Sequence, residues 1–124
     1  MNPISKSKKA KVYAKTDGQC AYCGLGLSAE MFAIDHVHPR ASGGNNAIEN
    51  LMPACNPCNA SKGSKSIEHY RLYVAARAVT GGPVFGHAQL VYLKEAGALP
   101  VLGIDESYLF HFERFGGVSG EVSA

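Results

Sequence analysis

The spacing of apolar positions changes along the chain, and each change marks an element. Residues 7–16 are mostly polar and basic, with Val12 and Tyr13 as the larger apolar side chains, which predicts a short basic helix stopped by Asp17-Gly18. Met31 to Val37 (MFAIDHV) is an apolar run that reads as a strand. Pro39 to Asn46 is polar and carries Gly43-Gly44, so it reads as a loop. Leu51 to Ala54 predicts a second short strand, and Asn56 to Lys62 a helix with Pro57 in its first turn, where proline is tolerated. Ile67, Tyr70, Val74 and Ala78 recur at helical spacing behind Ser66 as N-cap, predicting a helix over 67–80 that Gly81-Gly82-Pro83 ends. His87 to Ala96 predicts another helix, with Leu90, Val91 and Leu93 facing a core and Gly97 as its stop. Tyr108 to Phe115 (YLFHFERF) alternates aromatic and polar residues in part, which predicts a late strand, and Gly116 onward reads as a loose tail.

Composition narrows this picture. A chain of 124 residues with 46% hydrophobic content suits one domain with a modest core. Fourteen glycines imply many turns, so a covalent or metal staple would help the fold. No apolar run approaches the ~20 residues of a membrane span, and Met1 to Lys15 lacks the apolar stretch of a signal peptide. The expectation is a cytoplasmic protein with reduced thiols and no membrane partner. The net charge of +2 is unevenly placed. Residues 1–65 hold eight Lys/Arg against four acids, or +4, and the rest of the chain is therefore −2. A basic half suits a polyanion-binding face, although a solvated arm has the same pattern.

Cys20, Cys23, Cys55 and Cys58 form two C-x-x-C pairs separated by a long insert. Two such knuckles make the tetrahedral sulfur site that Zn2+ prefers. A redox C-x-x-C needs no duplicate, and no βαβ pattern surrounds either pair. A site closed by four thiolates has no open position for chemistry, so its role is structural and coupled to folding.

The insert carries Asp35-His36-Val37-His38-Pro39-Arg40, then Gly43-Gly44, then Asn50-Leu51, followed by Cys55-Asn56-Pro57-Cys58-Asn59. In that order, inside a four-cysteine frame, residues 20–62 resemble the HNH, or ββα-metal, endonuclease family. The resemblance implies an α+β fold: a small ββα-metal core stapled by the zinc site, with an N-terminal basic helix and a mainly helical C-terminal extension. Residues 1–66 would be the nuclease core, and 67–124 an extension packing on it within a single domain. The implied activity is hydrolysis of DNA phosphodiester bonds, by nicking or double-strand cleavage, as in small free-standing HNH proteins of bacteria and phages.

The resemblance also implies roles. His36 matches the general base that activates water. Asp35 and Asn59 match the ligands of a catalytic Mg2+, Mn2+ or similar ion. Asn50 matches the central residue that secures the loop orienting the histidine, and Lys62 a basic residue on the same helix. Asn59 stands where the family often has histidine, which leaves the choice of metal open, and Asn56 is a rival amide ligand. No small-molecule cofactor is implied.

The chemistry stands on its own terms as well. A neutral imidazole suits proton abstraction near pH 7. Neighbours in a strand point to opposite faces, so Asp35 and His36 can serve one site only if the strand ends or twists there. Taken singly, Asp35 could cap a turn, His36 could be a core or surface histidine, Asn50 a turn former and Asn59 a helix-surface residue. Their joint order favours function. His38 shares a face with His36 in an extended segment, and Arg40 suits a phosphate clamp; both also suit a solvated loop. With Lys62 they are the candidate nucleic-acid contacts, joined by Lys6, Lys8, Lys9, Lys11 and Lys15 at non-specific phosphates. His69, His87 and His111 read as structural or surface residues. The segment Ile67–Phe115 either covers the core or binds a protein partner. The rival functions are a zinc module that holds nucleic acid without cutting it, and a thiol redox protein.

Overall fold

Ser5 opens the first helix, α1 (Lys6–Ala14), by accepting the Lys8 N–H on its hydroxyl at 3.2 Å in the computed structural model, which describes residues 4–82 and 84–115. The chain leaves α1 through Asp17 and Gly18, at φ 52° and 75°. A Cβ on Gly18 would lie 2.7 Å from the Tyr13 hydroxyl, so only glycine fits there. Val12 is fully buried. Tyr13 donates to the Leu27 carbonyl at 2.8 Å and packs its ring on Phe32. Lysines add anchorage. Lys15 Nζ donates to the carbonyls of Ile48 and Leu51 at 2.8 and 2.7 Å, and Lys8 Nζ to that of Asn46 at 2.7 Å. Two of the lysines expected at phosphates thus hold backbone, while Lys6, Lys9 and Lys11 are exposed.

Strands β1 (Ala33–His36) and β2 (Leu51–Ala54) pair antiparallel, with Ala33 opposite Ala54 and His36 opposite Leu51. Helix α2 (Asn56–Lys62) follows directly and completes a ββα core. Strand β2 is buried throughout, as its apolar run predicts. Strand β1 is shorter than MFAIDHV suggests. Its partner ends at Ala54, so Phe32 and Met31 have nothing to pair with in the sheet, and Met31 is 81% exposed.

The expected strand over Tyr108–Phe115 is instead a 3-10 turn at His111–Arg114. The N–H groups of His111 and Phe112 donate to the carbonyls of Tyr22 and Ala21 at 3.1 and 2.7 Å, and Glu113 Oε1 accepts from the Phe110 N–H at 2.8 Å. The aromatic alternation is real but has another cause. Phe110 and Phe112 both set their rings edge-on to Tyr22, at 5.2 and 6.0 Å. Residues 110–115 therefore group with residues 4–66 in one compact unit, and residues 67–109 form the second. The tail expected from Gly116 lies outside the described residues.

The second unit contains α3 (Ile67–Thr80) and α4 (His87–Glu95). Its core is Leu72, Ala75, Ala76, Leu90, Leu99 and Ile104, with Tyr73, Phe85 and Leu93 packed against it. The stripe read from the sequence is rotated from this face: Ile67 and Tyr70 are buried, but Val74 is half-buried and Ala78 exposed. Arg71 grips both carboxylate oxygens of Glu68 at 3.0 Å and the Tyr108 carbonyl at 2.6 Å, holding the Glu68 carboxyl below its usual range. Among the described residues no helix is long and apolar enough to cross a membrane.

Candidate functional site

Cys20 and Cys23 sit on a tight knuckle closed by the Gly24 N–H on the Cys20 carbonyl at 2.9 Å, with Gly24 at φ 82°. Cys55 is the N-cap residue of α2, and Cys58 lies in its first turn. The four sulfurs lie within 4.8 Å of one another, and none is in a disulfide. The Cys58 thiol donates to Cys20 and pulls its pKa down to about 4. Cys58 is pushed up because it holds that thiolate, and Cys23 is pushed up chiefly by burial. A second thiolate in this space needs a cation beside it, which is the chemistry of a metal-binding group.

Below this cluster in the chain, β1 delivers Asp35 and His36 into one cleft of about 340 Å³, which Arg40 and Asn59 also line. Both residues can reach it because β1 ends at His36 and the chain turns away at Pro39. Asp35 is 3% exposed. The Tyr22 hydroxyl donates to its Oδ2, and Lys62 Nζ lies 3.2 Å from the same oxygen. Lys62 also donates to the His36 carbonyl at 2.9 Å and is fully buried. Burial pushes the Asp35 carboxyl above its ordinary range against the pull of Lys62, and burial pushes the Lys62 ammonium down. Lys62 thus meets Asp35 directly, and Asn59, three residues earlier on α2, lines the same cleft.

The loop after His36 is held by Asn50. Its Oδ1 accepts the His38 N–H at 2.7 Å, while its Nδ2 donates to the carbonyls of His38 and Asn45 at 3.1 and 2.8 Å. Gly44 passes so close beneath that an added Cβ would fall 1.7 Å from the His38 carbonyl oxygen. Gly44→Ala is therefore expected to displace the loop at a cost of about 1–3 kcal/mol, read as a lowered Tm; an unchanged Tm would show that the loop yields freely. His36 Nε2 meets Asn46 Oδ1 at 2.7 Å. His38 Nε2 donates to the Ser42 carbonyl at 2.9 Å, and the residue lines a separate concavity. Asn56 is exposed and outside the lining of the cleft.

Residues 20–65 match the family model of the HNH endonucleases. This stretch is an HNH endonuclease domain. Over 47 residues the chain is 47% identical to the CRISPR-associated endonuclease Cas9 of Corynebacterium diphtheriae, covering 37% of this chain and 4% of that protein. The crystal structure of the Type II-C Cas9 enzyme from Actinomyces naeslundii resembles it in fold, with a TM-score of 0.50 and 24% identity, over 76% of this chain and 12% of the other. The chain thus spans a small fraction of either relative.

The HNH domain takes in the four cysteines, the cleft and α2. Within it the structure brings together Asp35, His36, Arg40 and Asn59, and sets His38 and Asn56 apart from them. It also contains two residues that sequence reasoning passed over. Tyr22 lies inside a C-x-x-C pair, where its neighbours draw the eye, yet its hydroxyl reaches Asp35. Asn46 is one polar residue in a polar loop, and no local spacing marks it as the partner of His36. The large aromatic in a tight knuckle was the one available signal, because a side chain of that size needs a packed bed.

Proposed function

We propose that the chain is a metal-dependent endonuclease that hydrolyses phosphodiester bonds of DNA. The observation that carries this reading is the single cleft lined by a histidine, a carboxylate, an amide and a guanidinium inside the HNH domain. Two different metals fit two different donor sets. Four thiolates around Zn2+, each at about 2.3 Å, would be separated by about 3.8 Å along a tetrahedral edge. The Cys23 and Cys55 sulfurs are 3.8 Å apart. Asp35 and Asn59 offer hard oxygen donors, which suit Mg2+ or Mn2+. Both contacts of the Asp35 carboxylate fall on Oδ2, leaving Oδ1 without a protein partner among the described residues.

When bound, the oxygen-liganded ion supplies charge neutralisation for the scissile phosphate and the departing 3′-oxygen. The chain's own residues do the rest. His36 takes a proton from the attacking water. Arg40 grips a phosphate oxygen at the cleft. Lys62 and Tyr22 hold Asp35 in place, and Asn50 holds the loop. His38, in its own concavity, and the exposed Lys6, Lys9 and Lys11 serve flanking phosphates, which makes binding salt-sensitive. The second unit is available to a protein partner.

The test is cleavage of a supercoiled plasmid with Mg2+, Mn2+ or EDTA. Nicking is expected with either ion and not with EDTA. His36→Ala is expected to lower the rate about 10²–10⁴-fold with unchanged zinc content. Equal rates for wild type and His36→Ala would remove His36 as the base. Failure of wild type to cut any nucleic acid, despite binding it, would favour a module that holds nucleic acid.

A further inference from the structure

We propose that Asn46 is a positioning residue that sets the tautomer of His36. The inference rests on the reading of His36 as the base. His36 Nε2 lies 2.7 Å from Asn46 Oδ1. An amide oxygen only accepts, so Nε2 carries the ring proton. A neutral imidazole has one N–H, and Nδ1 is then the lone pair that takes the proton from water. With the amide reversed, Asn46 Nδ2 would donate to Nε2 and the ring proton would move to Nδ1. The lone pair would then be consumed by Asn46, and no base would remain for water.

Asn46 is itself held. Its carbonyl accepts from Lys8 Nζ at 2.7 Å, and Asn50 binds the neighbouring Asn45 carbonyl at 2.8 Å. The backbone of His36 is pinned from the other side by Lys62 on its carbonyl at 2.9 Å. The ring is therefore fixed at Nε2 and at its own main chain. Asn46 does not line the cleft, so it acts through His36 and not on the reacting atoms. A chain of contacts from Lys8 through Asn46 to His36 also gives α1 a part in the site beyond its surface charge.

The experiment compares the full chain as wild type, Asn46→Ala, Asn46→Asp and His36→Ala. Plasmid nicking is measured at saturating Mg2+ for kcat and KM. The ring nitrogens of His36 are read by 15N–1H multiple-bond NMR at a pH where the ring is neutral. Wild type should show the Nε2–H tautomer. Asn46→Ala should show a mixture and lose about 10–100-fold in kcat with KM unchanged. Asn46→Asp keeps an acceptor oxygen at the same place and should restore both the tautomer and most of kcat. Wild-type kcat in Asn46→Ala, or a wild-type ring with its proton on Nδ1, overturns the proposal. Equal losses in the Ala and Asp variants, tracking a fall in Tm, also overturn it by showing a merely structural role. Full activity in His36→Ala overturns the base reading itself, whereas a dead His36→Ala beside a fully active Asn46→Ala overturns the Asn46 proposal alone.

Discussion

Cys55→Ser is expected to cost the first unit its cooperative fold. Four thiolates close the proposed zinc site, and zinc binding in small domains of this kind contributes about 10–16 kcal/mol of folding free energy at neutral pH. Whole domains are stable by only about 5–15 kcal/mol. The structure shows why little would survive. Cys55 is the N-cap residue of α2, a helix of seven residues, far too short to persist without tertiary support. That helix carries Asn59 and Lys62. The opposite knuckle carries Tyr22, whose ring is the bed for Phe110 and Phe112 and whose hydroxyl reaches Asp35. Both walls of the cleft hang from the four sulfurs. The expected result is loss of stoichiometric zinc and of the first unit's unfolding transition, and a strong chelator should do the same to wild type until Zn2+ is restored. A Cys55→Ser protein with wild-type Tm and no zinc would refute the structural role.

The ββα core was legible because its signals are local. The apolar run Leu51–Ala54 and Pro57 at the start of a helix need no distant partner to be interpreted, and both elements stand where they were read. Errors arose where the cause lay elsewhere in the chain. Strand β1 is cut short at Ala33 because β2 ends at Ala54, and nothing in MFAIDHV displays the length of its partner. YLFHFERF alternates because two phenylalanines converge on Tyr22, a contact across most of the chain. The same distinction runs through the site. Asp35, His36 and Asn59 could be picked out by order, and the cleft gathers them. His38 was placed beside His36 by strand alternation, but the chain leaves the strand at His36 and turns through Arg40–Ser42, so Arg40 reaches the cleft and His38 does not. Lys62 reads from the family's pattern as a basic helix residue and a candidate nucleic-acid contact, whereas the structure buries it against Asp35. Its pairing with Asp35 is a tertiary fact.

Lys62→Met is expected to destabilise the first unit by about 3–5 kcal/mol, the usual cost of leaving a buried charge without its partner. Lys62 is 0% exposed and Asp35 3%, so solvent screening cannot substitute for the lost ammonium. Among the described residues the variant leaves the carboxylate with the Tyr22 hydroxyl, and it removes the Lys62 ammonium from the His36 carbonyl. The pH dependence has a definite sign. Burial already pushes the Asp35 carboxyl above its ordinary range while Lys62 opposes it, and removing Lys62 lets it rise further. A carboxyl whose folded pKa exceeds its unfolded one costs stability above that range, and the cost fades as the pH falls through it. The stability gap between wild type and Lys62→Met, measured by denaturant unfolding without added divalent ion, should be widest near neutral pH and close in acid. Asp35→Asn added to Lys62→Met removes the stranded charge and should recover most of the stability, since an absent pair is far cheaper than a broken one. It should not recover cleavage, because the proposed ion has lost its carboxylate ligand. Restored stability with restored nicking would place the divalent ion on other residues, and a gap that stays constant with pH would mean that Asp35 is not the group that Lys62 compensates.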